Sequence, residues 1–308
     1  MNWSLPTFKA LIPDDILERL TEIYVNKAAV DAGERGSFTF FDLSTGEAKW
    51  NVPASERIRV SRERLRKLML EGLEVEWGKN LVDVAQLQSG DIQAMFEDGK
   101  EAEGSLLIAC DGANSIARKL CHPDNYENTQ LPIRFIGAGV HYAEAQITAM
   151  RDLDPYFLQG SDPKSNVFLW FSFLNTPSDV NFSEGEEGMY YCQIMTSWPY
   201  RTAFAGRAEP TEIPDTKAEQ LAWMKTLARE WAEPFRSIVL DIPEESEILP
   251  INLADWLPRR NTAFDGRVIL LGDAAHSMVM YRYDDHDFED MDAKLTVVQR
   301  RTRESCHC

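Results

Sequence analysis

Val268-Ile269-Leu270-Leu271-Gly272-Asp273-Ala274-Ala275-His276 is the stretch that decides the fold. Four consecutive apolar residues bounded by a turn residue read as a short strand buried on both faces, the kind found in parallel sheets. Gly272 lets the backbone approach a ligand closely. Asp273 falls at the carboxyl end of the strand, where a carboxylate can accept hydrogen bonds from sugar hydroxyls. The small pair Ala274-Ala275 lets a following helix pack tightly. His276 can be read as catalytic or as a structural side chain.

About 160 residues upstream the same arrangement recurs: the apolar run 106–109, Cys110, then Asp111-Gly112-Ala113-Asn114-Ser115-Ile116-Ala117-Arg118. A buried strand ending in Asp-Gly is a common way to leave a sheet. Ser115 and Arg118 sharpen the signal, because a turn opening a helix brings backbone N–H groups and an arginine toward a phosphate-bearing ligand. A third motif is Arg62-Glu63-Arg64-Leu65-Arg66-Lys67-Leu68. Ser61 is placed to cap a helix over 62–71, Leu65, Leu68 and Met69 form its apolar stripe, and Gly72 suits a left-handed stop. A basic amphipathic helix with a solvated face explains this motif equally well.

Together and in this order, the three motifs resemble the flavin-dependent aromatic hydroxylase family, the single-component FAD monooxygenases of the p-hydroxybenzoate hydroxylase type. The resemblance covers about residues 3–282, most closely 54–120 and 264–282. It implies that Asp273, with Gly272 and Ala274, holds the ribityl chain of FAD. It further implies that Asp111 and Gly112 lie beside the flavin and help with the pyridine nucleotide, and that Arg62 reaches the flavin. In that family the position of His276 is usually structural. The chain departs from the family in two places. The N-terminal Gly-x-Gly-x-x-Gly turn for the FAD pyrophosphate does not occur. After Arg282 the family's Gly-Glu-Gly-x-Asn-His-Ala-Ile-like stretch is replaced by a tail expected to be disordered. Read as translated intron, that tail predicts a spliced transcript that restores the family pattern.

Composition sets outer limits. With 50 acidic and 32 basic residues the net charge is −18, which argues against a nucleic acid or an anionic membrane as partner. No apolar run approaches the ~18–20 residues of a membrane span. Five scattered cysteines argue against a disulfide framework and for a reducing compartment, hence the cytoplasm. The ending Cys306-His307-Cys308 lacks a second ligand pair at metal-binding spacing, so no metal is expected.

Along the chain, residues 13–26 predict a helix and residues 37–52 a hairpin around Ser44-Thr45-Gly46-Glu47. Residues 73–77 predict a strand, and two further strands flank Ser89-Gly90-Asp91. Beyond about residue 125 the aromatic runs 131–142, 166–174 and 189–198 predict a sheet. A helix interrupts it, announced by the capping box Thr216 and Glu219.

The fold expected is therefore α/β, an incomplete doubly wound FAD-binding domain with an inserted mixed β-sheet substrate domain. The boundaries expected are 1–125 for the partial FAD-binding domain, 126–255 for the substrate domain, 256–282 for the return, and 283–308 for the divergent tail. The resemblance implies FAD-dependent, NAD(P)H-driven hydroxylation by O₂ of a small aromatic or polyketide-like metabolite, with the aromatic strands lining the substrate cavity. No side chain is nominated as nucleophile or base. A rival reading is a non-catalytic relic that does not hold FAD. A hydrolase is excluded by the lack of a Gly-x-Ser-x-Gly elbow.

Overall fold

A computed structural model describes residues 5–53, 58–179, 188–258 and 263–278. The tail 283–308, with its Cys-His-Cys ending, lies outside them. The chain forms two compact units, Met1–Trp77 with Pro132–Leu253, and Gly78–Leu131 with Ala254–Cys308.

The first unit begins with helices α1 (Leu5–Leu11), α2 (Asp14–Glu18) and α3 (Lys27–Asp31), strands β1 (Phe38–Asp42) and β2 (Ala48–Val52), and helix α4 (Arg62–Leu70). The second unit follows with β3 (Leu81–Gln86), β4 (Ile92–Phe96), β5 (Glu101–Gly104), β6 (Leu107–Ala109), α5 (Ile116–Cys121) and β7 (Thr129–Gln130). The chain returns to the first unit with β8 (Ile133–Tyr142), α6 (Glu144–Leu153), β9 (Phe157–Asp162), β10 (Val167–Asn175), β11 (Tyr190–Pro199), α7 (Lys217–Leu227), α8 (Phe235–Leu240) and β12 (Glu247–Ile251). It then re-enters the second with β13 (Ala254–Asp255), β14 (Val268–Leu270) and α9 (Asp273–His276).

The first unit is built on a seven-stranded mixed sheet in the order β12-β8-β11-β10-β9-β1-β2, antiparallel except where β1 runs parallel to β9. Strand alternation sorts its residues. Leu169, Phe171 and Phe173 of β10, Cys192, Ile194 and Trp198 of β11, and Ile136, Ala138 and Val140 of β8 enter the core. Ile147 of α6, Met224 of α7 and Phe235 of α8 complete that core. The aromatic runs that signalled the sheet are shared between the two faces: Phe171, Phe173 and Trp198 lie in the core, Phe168 and Trp170 on the opposite face. Residues 1–77 were expected in the cofactor domain, but β1 pairs with β9, so the compact units divide the chain elsewhere than at 125.

Several local expectations are met. The hairpin β1–β2 forms, and Ser61 Oγ accepts the Arg64 N–H at 3.3 Å. Gly72 has φ 76°, and Thr216 with Glu219 closes a capping box on α7. Others are corrected. The helix expected over 13–26 is two short pieces, α2 and a 3-10 turn over Leu20–Ile23: the chain leaves helical geometry at Arg19, whose guanidinium bridges Glu22 and Glu71. The break lets Ile16, Leu20 and Ile23 converge with Ile58 and Leu68 on one small core. Residues 73–77 are not a strand, since they find no partner among the described strands; Leu73 and Trp77 are exposed. Met69 is likewise exposed and does not join Leu68.

Candidate functional site

The second unit brings the two strand-to-helix motifs together. β6 and β14 pair in parallel, Leu107 opposite Val268 and Ala109 opposite Leu270, and the Leu271 N–H donates to Ala109 O at 2.9 Å. Both motifs therefore leave the same carboxyl end of one parallel pair, the place where open α/β sheets bind ligands. The expectation of strands buried on both faces is corrected: among the described residues these two strands pair only with each other, and Ile108 and Leu106 are about half exposed.

After β6, Gly112 takes φ 82° and turns the chain into α5. The Asp111 carboxylate accepts the Ser115 hydroxyl at 2.5 Å and the Ala117 N–H at 3.1 Å, and Ser115 Oγ accepts the Arg118 N–H at 2.8 Å. Asp111 is thus occupied in fixing the turn that Gly112 makes. After β14, Gly272 takes φ 59° and ψ −142°, and its carbonyl accepts the Ala275 and His276 N–H groups to start α9.

Arg118 ties the two turns to each other. It is 2% exposed. Nη1 donates to Asp273 O at 3.2 Å and Ala274 O at 3.4 Å, and Nη2 donates to Asn128 Oδ1 at 3.0 Å and to Ala113 O. Nε donates to Tyr126 O at 3.1 Å, and the guanidinium lies 4.9 Å over the Trp256 ring. Burial lowers its pKa and the charge of Asp111 opposes that shift. The expectation that Arg118 faces a phosphate is therefore corrected, because its donors are committed to backbone carbonyls and Asn128. Asn128 and Trp256 were missed in the sequence; they stand in no motif and meet Arg118 only through folding.

Gly272 and Asp273 remain exposed, and the Asp273 carboxylate has no partner among the described residues, whereas Ala274 is fully buried. Apart from its chain neighbours, no described residue comes within 4 Å of where a Cβ would sit on Gly112 or Gly272. An unpartnered carboxylate beside open, glycine-bearing turns fits the hydroxyls of a flavin's ribityl chain. His276 Nδ1 is buried without a hydrogen-bond partner among the described residues. Arg62, the first residue of α4, is exposed and belongs to the first unit. Among the described residues no cluster could hold a metal ion, and no helix is long and apolar enough to cross a membrane.

The first unit offers an aromatic surface on the face of its sheet opposite the core. Phe157 and Trp170 stack with ring centres 4.9 Å apart, and Phe40 stacks on Trp50 at 5.6 Å. Phe38 meets Phe157 edge-on at 5.5 Å. Gln159 sits among them, opposite Phe40 on β1 and Trp170 on β10. At the end of this row Arg59 donates to Ser172 Oγ at 2.8 Å and to Phe173 O at 2.7 Å. Burial pulls the Arg59 pKa down to about 10, and the charge of Asp154 opposes it.

Residues 37–280 match the family model described as FAD binding domain. The chain belongs to this family. It is 42% identical to the "Probable FAD-dependent monooxygenase" of Arthroderma benhamiae over 92% of this chain and 67% of that protein. It is 33% identical to the FAD-dependent monooxygenase tazP of Aspergillus terreus over 92% of this chain and 70% of that protein. In fold it is similar to 2,6-dihydroxypyridine-3-hydroxylase of Arthrobacter nicotinovorans, at TM-score 0.59 and 20% identity, over 89% of this chain and 65% of that one. By family this is an FAD-dependent monooxygenase, which makes FAD its cofactor and O₂ and a small molecule its substrates. The relic reading is not favoured.

Proposed function

We propose that this monooxygenase hydroxylates a small aromatic or polyketide-like metabolite, that it takes its electrons from NAD(P)H, and that its two units divide the work. In the second unit Gly272, Asp273 and Ala274, with the Asp111-Gly112 turn, hold FAD. The observation that carries this assignment is the lone Asp273 carboxylate, held at the carboxyl end of the parallel pair by the grip of Arg118 on its own backbone carbonyl. When bound, reduced FAD supplies the activation of O₂ that the side chains of this protein cannot.

The chain's own groups then bind, orient and exclude water. The Phe157–Trp170 stack and its neighbours offer flat surfaces for a planar ring. A fold relative acts on a hydroxylated heteroaromatic ring, as its name states, which supports the same class here. No side chain needs to serve as nucleophile or base. None of the three described cysteines is in a disulfide, which supports a cytoplasmic site of action.

The test is an absorbance spectrum of the purified chain after incubation with FAD and desalting. Retained bands near ~370 and ~450 nm are expected, as for any protein-held flavin. Asp273→Ala is expected to weaken retention at least about tenfold, as the loss of charged hydrogen bonds does. A colourless wild-type eluate overturns the proposal.

A further inference from the structure

One side chain on the aromatic face is out of keeping with its surroundings. Gln159 is 2% exposed, and its Nε2 is buried with no hydrogen-bond partner among the described residues. Its in-register neighbours are Phe40 on one side and Trp170 on the other, neither of which offers a conventional acceptor in its side chain. Phe157 lies two residues along the same strand, so it shares this face at ~7 Å of strand rise. Burying an amide without a partner is costly. An apolar residue of similar volume would pack this position without that cost. The same face has a satisfied polar position for contrast, since Ser172 Oγ accepts from Arg59.

We infer that Gln159 is a substrate-contact residue: its amide hydrogen-bonds a ring oxygen, hydroxyl or carbonyl, of a planar aromatic held by Phe40, Phe157 and Trp170. This rests on the reading of the aromatic face as the substrate surface and narrows it to oxygenated rings. A primary amide both donates and accepts, so it serves a phenol or a quinone-type carbonyl alike. A site that buries such a group discriminates strongly against the analogue that leaves it unpaired. Gln159 thereby fixes which edge of the ring lies inward on the sheet.

The test is equilibrium dialysis of the full chain against 2-naphthol and 2-methylnaphthalene, which differ by a hydroxyl in place of a methyl group. A purely apolar surface favours the methyl compound. Wild type is expected to bind 2-naphthol roughly tenfold more tightly, the gain of one buried hydrogen bond. Gln159→Leu is expected to abolish that preference while keeping its affinity for 2-methylnaphthalene; Gln159→Met serves if the leucine variant does not fold. Equal binding of the two probes by wild type, or a preference that survives in the variant, overturns the role of Gln159 and leaves its amide resting on the rings alone. Binding of neither probe overturns the reading of the aromatic face itself.

Discussion

Among the described residues Arg118 has no carboxylate in hydrogen-bond contact, yet it ties the two strand-to-helix turns together. Its planar fork reaches carbonyls on both motifs at once, which a lysine point charge cannot reproduce. Arg118→Lys is therefore expected to lower stability by about 2–4 kcal/mol, since several buried carbonyls lose their donors. A urea denaturation midpoint checks this, and flavin retention should fall with it. A second residue-scale prediction concerns Glu212, which accepts from Arg134 Nε at 2.6 Å and Nη2 at 2.9 Å. Arg134 first, then Tyr200, holds the Glu212 pKa down from 4.5 to about 2. A carboxylate whose pKa is depressed by folding stabilises above its unfolded pKa and loses that contribution as pH falls through the folded one. Glu212→Gln should thus cost stability at pH 7, by less than ~1 kcal/mol because the carboxylate is largely exposed. The difference should shrink between pH 4.5 and about 2. Denaturant midpoints of the two proteins across that window decide it.

At the scale of elements, β1 and β9 approach closely at Gly160. A Cβ on Gly160 would stand 2.6 Å from Phe41 O and 2.8 Å from Leu43 Cδ2. A backbone oxygen cannot rotate aside, so Gly160→Ala is expected to cost about 1–3 kcal/mol by overpacking, measured by thermal unfolding. Helix α7 is easier to read locally. Thr216→Ala removes the Thr216 Oγ1 acceptor for the Glu219 N–H, so a loss of about 1 kcal/mol is expected in the same assay. The two cases differ in kind: a cap is written in four consecutive residues, whereas the Gly160 contact joins strands about 120 residues apart.

For the whole molecule, binding to the folded state alone must appear as stability. FAD at ~100 times its dissociation constant should add about 2.7 kcal/mol to unfolding and raise the melting temperature accordingly. Absence of any shift under saturating FAD would place the chain with the relic reading. The acidic balance of −18 also predicts that added salt will not weaken the binding of FAD, itself an anion, through loss of a long-range attraction.

The sequence alone determined what is local and periodic. The aromatic runs of β8, β10 and β11, the hairpin β1–β2, the caps of α4 and α7, and the two strand-to-turn motifs depend on spacing and turn chemistry within a few residues. Family membership was legible for the same reason, because Gly272, Asp273, Asp111 and Gly112 are consecutive pairs. Only tertiary structure decided what depends on distant partners. The alternating stretch 73–77 found no strand to pair with among the described residues, and the helix expected over 13–26 breaks at Arg19, whose guanidinium reaches Glu71. Arg118 turned from an expected phosphate ligand into the tie between Ala113 and Asp273, because burial among carbonyls leaves it no free donor face. Gln159 carries no signal in its own neighbourhood; it became conspicuous once β1 and β10 set Phe40 and Trp170 on either side of it.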